Sequence, residues 1–301
     1  MSASLEPSDL EIFIPYWGDP DLLYATVESV RAQDDPRWTV TVVDDGYPDR
    51  TVAEHFAAED DPRIRYRRNE ENLGIAANFQ RCLELAGGDA VMFLGSDDLL
   101  EPEFVSRSRA LLMKFPQADV FQPGVRVIDA DGATISPLGD RVKGWLTPSV
   151  REPVLLAGEE LAASLLRGNW LYWPSLVFRT ARVKQHAFRQ DLPIILDLAL
   201  VIDLVADGSS LVLDPAVTFA YRRHASSLSG AALRDGTRFA QDRRYFAEAA
   251  EQMQRVGWTR ARRAAQRRWT SRLHALTFLP EAARLRDAAV LRQVMMHAVA
   301  R

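Results

Sequence analysis

Through the first 120 residues, short apolar runs alternate with segments whose apolar residues recur at helical spacing. Residues 10–14 read as a strand stopped by Pro15. Residues 19–33 read as a helix, with Leu22, Leu23, Thr26, Val27 and Val30 on one face. Residues 39–43 form a second strand running into Asp44-Asp45-Gly46. A helix over 51–58 and a short strand over 64–67 follow. The stretch 72–89 reads as a turn and a helix, with Ile75, Phe79, Cys82, Leu83 and Ala86 as its buried stripe and Gly87-Gly88 as its stop. Residues 90–94 are apolar at every position, as in a strand covered on both faces. A helix over 101–116, a strand over 119–128 and a hairpin turn at Asp131-Gly132 complete the first half.

This β-α-β-α order predicts an α/β sheet whose strand ends share one rim, where such sheets bind ligands. Three strand ends carry candidate chemistry: Pro15-Tyr16-Trp17, Asp44-Asp45-Gly46 and Ser96-Asp97-Asp98. The stretch 134–157 is rich in Pro and Gly and reads as loop, followed by a helix over 158–167. Residues 196–206 form a helix that is apolar nearly all round and therefore buried. Strands over 211–213 and 217–221 flank Asp214-Pro215. From residue 231 the chain reads as helical and rich in Arg and Ala. The sharpest composition shift falls near residue 230, so the expected division is one unit over 1–230 and a helical extension over 231–301.

Composition narrows the class. The 301 residues are 47% apolar and 26% charged, which supports a real core. A net charge of −4 gives no footprint for nucleic acid. Cys82 is the single cysteine, so an intrachain disulfide and a cysteine-based zinc site are excluded. The polar, acidic start does not read as a secretory signal. The longest apolar run, 192–206, contains Asp197 and Asp203 and is too short to span a bilayer. The expectation is a soluble, cytoplasmic protein.

Two readings stand for Asp97-Asp98. Asp98 has the spacing to Glu101 of a capping box at the next helix. A cap needs one carboxylate, however, and two adjacent carboxylates repel unless a hard cation such as Mg²⁺ or Mn²⁺ sits beside them. Asp44-Asp45 reads as a turn or as an acceptor for ribose hydroxyls or the NH edge of a base. No glycine-rich phosphate loop follows the first strand, so diphosphate charge has to be met another way. Asp197 and Asp203 lie about 120° apart on one helix, which allows one a functional role and the other a structural partner. His224 is a single histidine just past a strand, and Arg222 and Arg223 read as phosphate contacts or as solvated charge.

In that order the motifs resemble glycosyltransferase family 2, the inverting enzymes of GT-A fold, over about residues 10–230. Ile12-Phe13-Ile14-Pro15 matches the family's opening strand. Val42-Val43-Asp44-Asp45-Gly46 resembles its V-D-D-G-S segment, with Tyr47 in place of serine. The run from Asn72 to Asn78 resembles N-x-G-x-x-x-A-R-N, with Ala77 where arginine is usual. Gly95-Ser96-Asp97-Asp98 takes the place of the D-x-D metal motif, with Ser96 where its first aspartate often stands. Leu196-Asp197 takes the place of Glu-Asp, and Tyr221-Arg222-Arg223-His224 resembles Y-R-x-H.

The resemblance implies an α/β fold with a mostly parallel sheet, and a nucleoside diphosphate sugar as donor. The reaction would be direct displacement with inversion, assisted by Mg²⁺ or Mn²⁺. It implies Asp197 as catalytic base, Asp98 and His224 at the metal, and Pro15, Tyr16, Asp44, Asp45, Asn78 and Asp97 at the nucleotide sugar. The acceptor would be a glycan, a lipid-linked molecule or a small molecule. It would meet residues 134–195, where Trp145, Trp170, Tyr172 and Trp173 are candidates for stacking on sugar rings. Arginines of the C-terminal helices read as a solvated face, a peripheral contact at the inner membrane face, or a homodimer interface. Rival readings are a sugar-phosphate nucleotidylyltransferase and a non-catalytic sugar-nucleotide-binding scaffold.

Overall fold

A computed structural model describes residues 9–223, 236–284 and 287–299. Its centre is a nine-stranded mixed sheet. Strands β1 (Leu10–Tyr16), β2 (Trp38–Asp44), β3 (Ile64–Arg68) and β4 (Ala90–Phe93) pair in parallel in the order β3-β2-β1-β4. Beyond β4 the sheet continues through β8 (Val177–Arg179), β6 (Val120–Ile128), β9 (Ser210–Arg222) and the short β5 (Leu99–Leu100). β7 (Val154–Ala157) pairs antiparallel with the start of β9. β8 is antiparallel to both its neighbours and runs into the one-turn helix α7 (Thr180–Val183), while the long β6–β9 pairing is parallel.

Alternation along the strands sends side chains into two cores. Phe13, Val91 and Phe93 join α3 (Ile75–Leu85), α6 (Gly158–Arg167) and α8 (Leu196–Ala206) on one face. Ile12, Ile14, Met92 and Leu94 join α1 (Pro20–Arg31), α2 (Thr51–Ala57) and α4 (Phe104–Lys114) on the other. β4 is buried at every position, as its unbroken apolar run demands. Asp19 caps α1 by accepting from the Asp21 N–H, and Pro20 opens the helix.

Some sequence expectations change. Pro15 does not stop β1, which runs to Tyr16. The β1–β4 pairing ends at Phe13, so the missing N–H breaks no ladder bond on that side. The region 101–116 is helical only over 104–114, because 99–100 pair with β9 as β5. The stretch read as loop contains a two-turn helix, α5 (Leu138–Leu146). The two strands around Asp214-Pro215 are one bent strand. The bend presses against a bulge in β6 at Gly124, where a Cβ would meet the Pro215 carbonyl at 2.7 Å.

After the central layers come α9 (Thr237–Val256), α10 (Thr259–Arg267), α11 (Trp269–Arg284) and α12 (Ala288–Val299). α9 and α10 supply Tyr245, Phe246, Met253, Ala261 and Ala265 to the core under α6 and α8. Phe239, Ala275, Phe278, Ala282, Val290 and Val294 make a smaller third core between α9, α11 and α12.

Candidate active site

Because β1, β2 and β4 run parallel, their C-terminal ends share one rim. The Asp45 N–H donates to the Tyr16 carbonyl at 3.0 Å, and the Leu94 N–H to the Phe13 carbonyl at 2.8 Å, which ties the three ends together.

The turn after β2 is closed on itself. Asp44 is fully buried. Its Oδ1 accepts from the Tyr47 N–H at 2.7 Å, and its Oδ2 accepts from the Tyr66 hydroxyl and from Arg68 Nη1 at 2.6 Å. Asp45 Oδ1 accepts from Asn69 Nδ2 and the Leu73 N–H, and its Oδ2 from the Gly74 N–H, all at 2.9 Å. Asn78 is buried, donates to the Val43 carbonyl at 3.0 Å and accepts from Asn69 at 3.0 Å. These three residues bind the loop 69–78 to the end of β2. Tyr16 is buried too, its hydroxyl donating to the Gly18 carbonyl at 2.8 Å, and Pro15 is partly buried in β1. The aromatic surface at this rim is instead Trp17, half exposed, edge-on to Tyr47 at 5.5 Å. Neighbouring Pro15-Tyr16 in sequence was the only pointer to Trp17.

The turn after β4 is built differently. Asp98 does not cap α4, whose N-cap is Glu103. The Arg222 backbone N–H donates to Asp98 Oδ1 at 2.8 Å, and Arg222 Nε donates to the Asp97 carbonyl at 2.7 Å. Arg222 is buried and also holds the carbonyls of Asp129 and Ala130, so it is neither a phosphate contact nor solvated. From α1, the Thr26 hydroxyl donates to the Asp98 carbonyl at 2.8 Å. Asp98 Oδ2, also buried, has no hydrogen-bond partner among the described residues. A Cβ at residue 95 would lie 2.5 Å from that oxygen, so glycine keeps the space beside it clear. Burial, and then the Asp97 charge, push the Asp98 carboxyl well above the ordinary range; the Arg222 N–H and the charges of Arg222 and Arg223 pull the other way. An orphaned buried carboxylate oxygen beside an open space fits a hard divalent cation. No group of three His, Cys, Asp or Glu side chains is positioned to hold a metal among the described residues. Such an ion would therefore need oxygens from a ligand as well. His224 lies outside the described residues.

Asp197 sits in the first turn of α8, partly exposed, and its Oδ2 accepts from Asn169 Nδ2 at 3.0 Å. Asn169 Oδ1 accepts from the Leu171 N–H at 3.2 Å, and Lys143 Nζ donates to the Leu171 carbonyl at 2.7 Å. The same ammonium lies 4.2 Å from the Tyr172 ring centroid, and the Tyr172 hydroxyl donates to Asp140 Oδ1 at 3.1 Å. Asp140 pairs with Arg223 through contacts of 2.9 and 3.2 Å, and Arg223 follows the residue that holds Asp98. A continuous chain of contacts therefore joins Asp197 to Asp98 through α5. Burial and the Arg223 charge lower the Lys143 amine to about 8, with Asp197 and Asp140 opposing. Burial and the Asp140 charge raise the Tyr172 hydroxyl.

Asn169, Asp140 and Lys143 carried no signal in the sequence, because their partners are remote along the chain. The aromatic candidates divide. Trp170 is fully buried, and Trp173 packs among Phe79, Phe93, Phe178 and Phe188. Tyr172 belongs to the chain just described, and Trp145 is exposed on α5. Asp203 accepts from Gln252 of α9 at 2.7 Å, which gives it a structural partner. Beside the chain lies a cleft of about 590 Å³, lined by residues including Gln122, Arg126, Ser136, Asp140, Tyr172 and Asp214.

Comparison with known proteins agrees with this geometry. Succinoglycan biosynthesis protein ExoO of Rhizobium meliloti is 25% identical over 224 residues, 73% of this chain and 62% of that protein. The chain spans between 16% and 62% of the length of the curated relatives it matches. Among solved structures, Staphylococcus aureus TarS 1-349 in complex with UDP-GlcNAc superposes with a TM-score of 0.65 at 16% identity, over 96% of this chain and 81% of that one. The mannosyltransferase PcManGT of Pyrobaculum calidifontis, in complex with GDP-Man and Mn²⁺, gives 0.56 at 13% identity, over 98% and 88%. These likenesses establish the GT-A fold, a mixed sheet whose longest pairings are parallel, flanked by helices. The model of the family described as glycosyl transferase family 2 matches residues 11–159, the stretch that holds both acidic turns, and by that match the chain belongs to glycosyltransferase family 2.

Proposed function

We propose that the protein is an inverting glycosyltransferase that moves a sugar from a nucleoside diphosphate to an acceptor hydroxyl. The observation that carries this reading is the linkage of Asp98, with its open buried oxygen, to Asp197 at the other end of one contact chain. TarS in complex with UDP-GlcNAc and PcManGT in complex with GDP-Man and Mn²⁺ support a nucleotide sugar as the donor.

Asp98 Oδ2 would hold Mg²⁺ or Mn²⁺ together with donor oxygens, with His224 as a further contact. When bound, the ion supplies positive charge opposite the departing diphosphate. Trp17 and Tyr47 offer faces to the base, and Asp97 accepts from the ribose hydroxyls. Pro15, Tyr16, Asp44, Asp45 and Asn78 act on the nucleotide by fixing the rim beneath it. The acceptor lies in the cleft shared by Asp140 and Tyr172, a polar and aromatic lining suited to a glycan or to the glycan end of a lipid-linked molecule. Asn169 aims the Asp197 carboxylate, which takes the proton of the attacking hydroxyl as the oxygen closes on the anomeric carbon. The bond to the diphosphate breaks on the opposite face, and its electron pair leaves with the diphosphate. General-base assistance of this kind contributes about 10²–10⁴-fold.

The test is a panel of nucleotide sugars with Mn²⁺ or Mg²⁺, read first by thermal stabilisation and then by transfer or slow donor hydrolysis. At least one donor is expected to stabilise the protein and be consumed. In Asp197→Asn the same donor is expected to bind with unchanged affinity while transfer falls by about 10²–10⁴-fold. Full transfer activity in that variant removes Asp197 as base, and release of pyrophosphate from a nucleoside triphosphate points to a nucleotidylyltransferase instead.

A further inference from the structure

The last two helices turn apolar residues outward as well as inward. On α11, Ala275, Phe278 and Ala282 face the third core. Trp269, Leu273 and Leu276 recur at spacings of four and three, which puts them on one stripe of the opposite face, and they are 66%, 59% and 48% exposed. Met295, Met296 and Val299 are exposed on α12. Arg272 Nε donates to the Ala298 carbonyl at 3.0 Å, and Ser271 Oγ lies 2.8 Å from His297 Nε2. These contacts bring the start of α11 beside the end of α12, so the two sets of exposed apolar residues adjoin at one end of the helix pair.

The charge there is one-sided. Residues 252–280 contain Arg255, Arg260, Arg262, Arg263, Arg267, Arg268 and Arg272 and no Asp or Glu, in a chain of net charge −4. Arg260 is paired with Glu159 and Glu160, but no carboxylate of the described residues pairs with Arg262, Arg263, Arg267 or Arg272.

We propose that this end of the molecule docks on an anionic lipid surface, with the Trp269–Leu273–Leu276 stripe entering the headgroup boundary and Arg262, Arg263 and Arg267 meeting lipid phosphates. An amphipathic helix with Trp and Leu on one face, preceded by arginines that no described carboxylate pairs, gains from apolar burial and from anionic headgroups together. No described helix is long and apolar enough to cross a membrane, so the contact is with the surface. A second copy fits this face less well. A two-fold interface sets the same patch against itself, and here that brings arginines against arginines. The proposal stands independently of the transferase reading.

The full chain is mixed with vesicles of phosphatidylglycerol and phosphatidylcholine, or of phosphatidylcholine alone, and sedimented at low and high salt. Binding is expected to the anionic vesicles only and to weaken with salt. Leu273→Gln/Leu276→Gln and Arg262→Gln/Arg263→Gln are each expected to bind about tenfold more weakly or less. Leu273, Leu276 and Arg263 are exposed and Arg262 is partly exposed, so unchanged thermal melting serves as the control for folding. Absence of binding to anionic vesicles overturns the proposal, as does equal binding by both variants. Sedimentation velocity that finds a dimer dissolved by the leucine substitutions assigns the patch to a second copy and also overturns it.

Discussion

After β2 the chain turns through Asp44-Asp45-Gly46, and after β4 through Gly95-Ser96-Asp97-Asp98. Both turns set a pair of carboxylates on the same rim, yet they are finished in opposite ways. At the first, Tyr66, Arg68, Asn69 and the backbone of 47 and 73–74 engage every carboxylate oxygen. At the second, one oxygen of Asp98 is engaged by the Arg222 N–H and the other has no partner among the described residues. An unsatisfied buried carboxylate oxygen costs stability, and retaining one is expected where a ligand completes it. On the proposed reading the first turn is a fastening and the second a site, although the sequence writes both as two adjacent aspartates.

The sharpest way to break this contrast is to remove charge from each turn without changing shape. Asp98→Asn keeps an acceptor for the Arg222 N–H and loses the anionic oxygen. Transfer is expected to fall by about 10³-fold, with a melting temperature unchanged or higher, because a buried carboxylate pressed by Asp97 is gone. Asp44→Asn should do the reverse. Its carboxylate answers Arg68 in a buried pair, so stability is expected to fall by about 3 kcal/mol in urea unfolding. Activity per folded molecule should stay within about threefold. Loss of activity from Asp44→Asn at full stability would erase the distinction between the turns.

Smaller effects sharpen the role of the chain through α5. Asn169→Ala leaves the Asp197 carboxylate without its side-chain partner. A fall in kcat of about 10–100-fold at unchanged donor affinity is expected, as for a misaimed base. Lys143→Met should lower kcat by only a few-fold while removing a limb of the pH profile near 8, where the wild-type amine loses its proton. The stability effect has a definite sign. With the amine lowered to about 8, the folded chain holds fewer protons than the unfolded chain between there and the ordinary lysine value. Wild-type stability therefore rises with pH across that window, and the methionine variant should not show the rise.

Much of the rim was legible, because it is written by local patterns: β-α alternation, a strand buried on both faces, and acidic residues at the strand ends. What was not legible depends on partners remote in sequence. Pro137, Gly139 and Gly144 made 134–157 read as loop, yet α5 forms, and its Asp140 and Lys143 are tied to Arg223, Tyr172 and Leu171. Asp98 had the spacing of a helix cap, and only the pairing of 99–100 with β9 moves the helix start away from it. Asp44 and Asp45 read either as a turn or as ligand contacts, and nothing in the sequence shows Tyr66, Arg68 and Asn69 reaching back to them. Asp197 was singled out by its place in a buried apolar helix and, as base, by the resemblance of Leu196-Asp197 to Glu-Asp, but the Asn169 amide that donates to it carries no motif.

The most direct test is calorimetric titration of UDP and GDP into wild type, Asp98→Asn and Asp197→Asn, with and without Mn²⁺. The expected result is tight binding of one nucleotide that depends on Mn²⁺ in wild type and Asp197→Asn, and no Mn²⁺ dependence in Asp98→Asn. Equal affinity with and without the cation in wild type, or a Mn²⁺ dependence that survives in Asp98→Asn, would contradict the account.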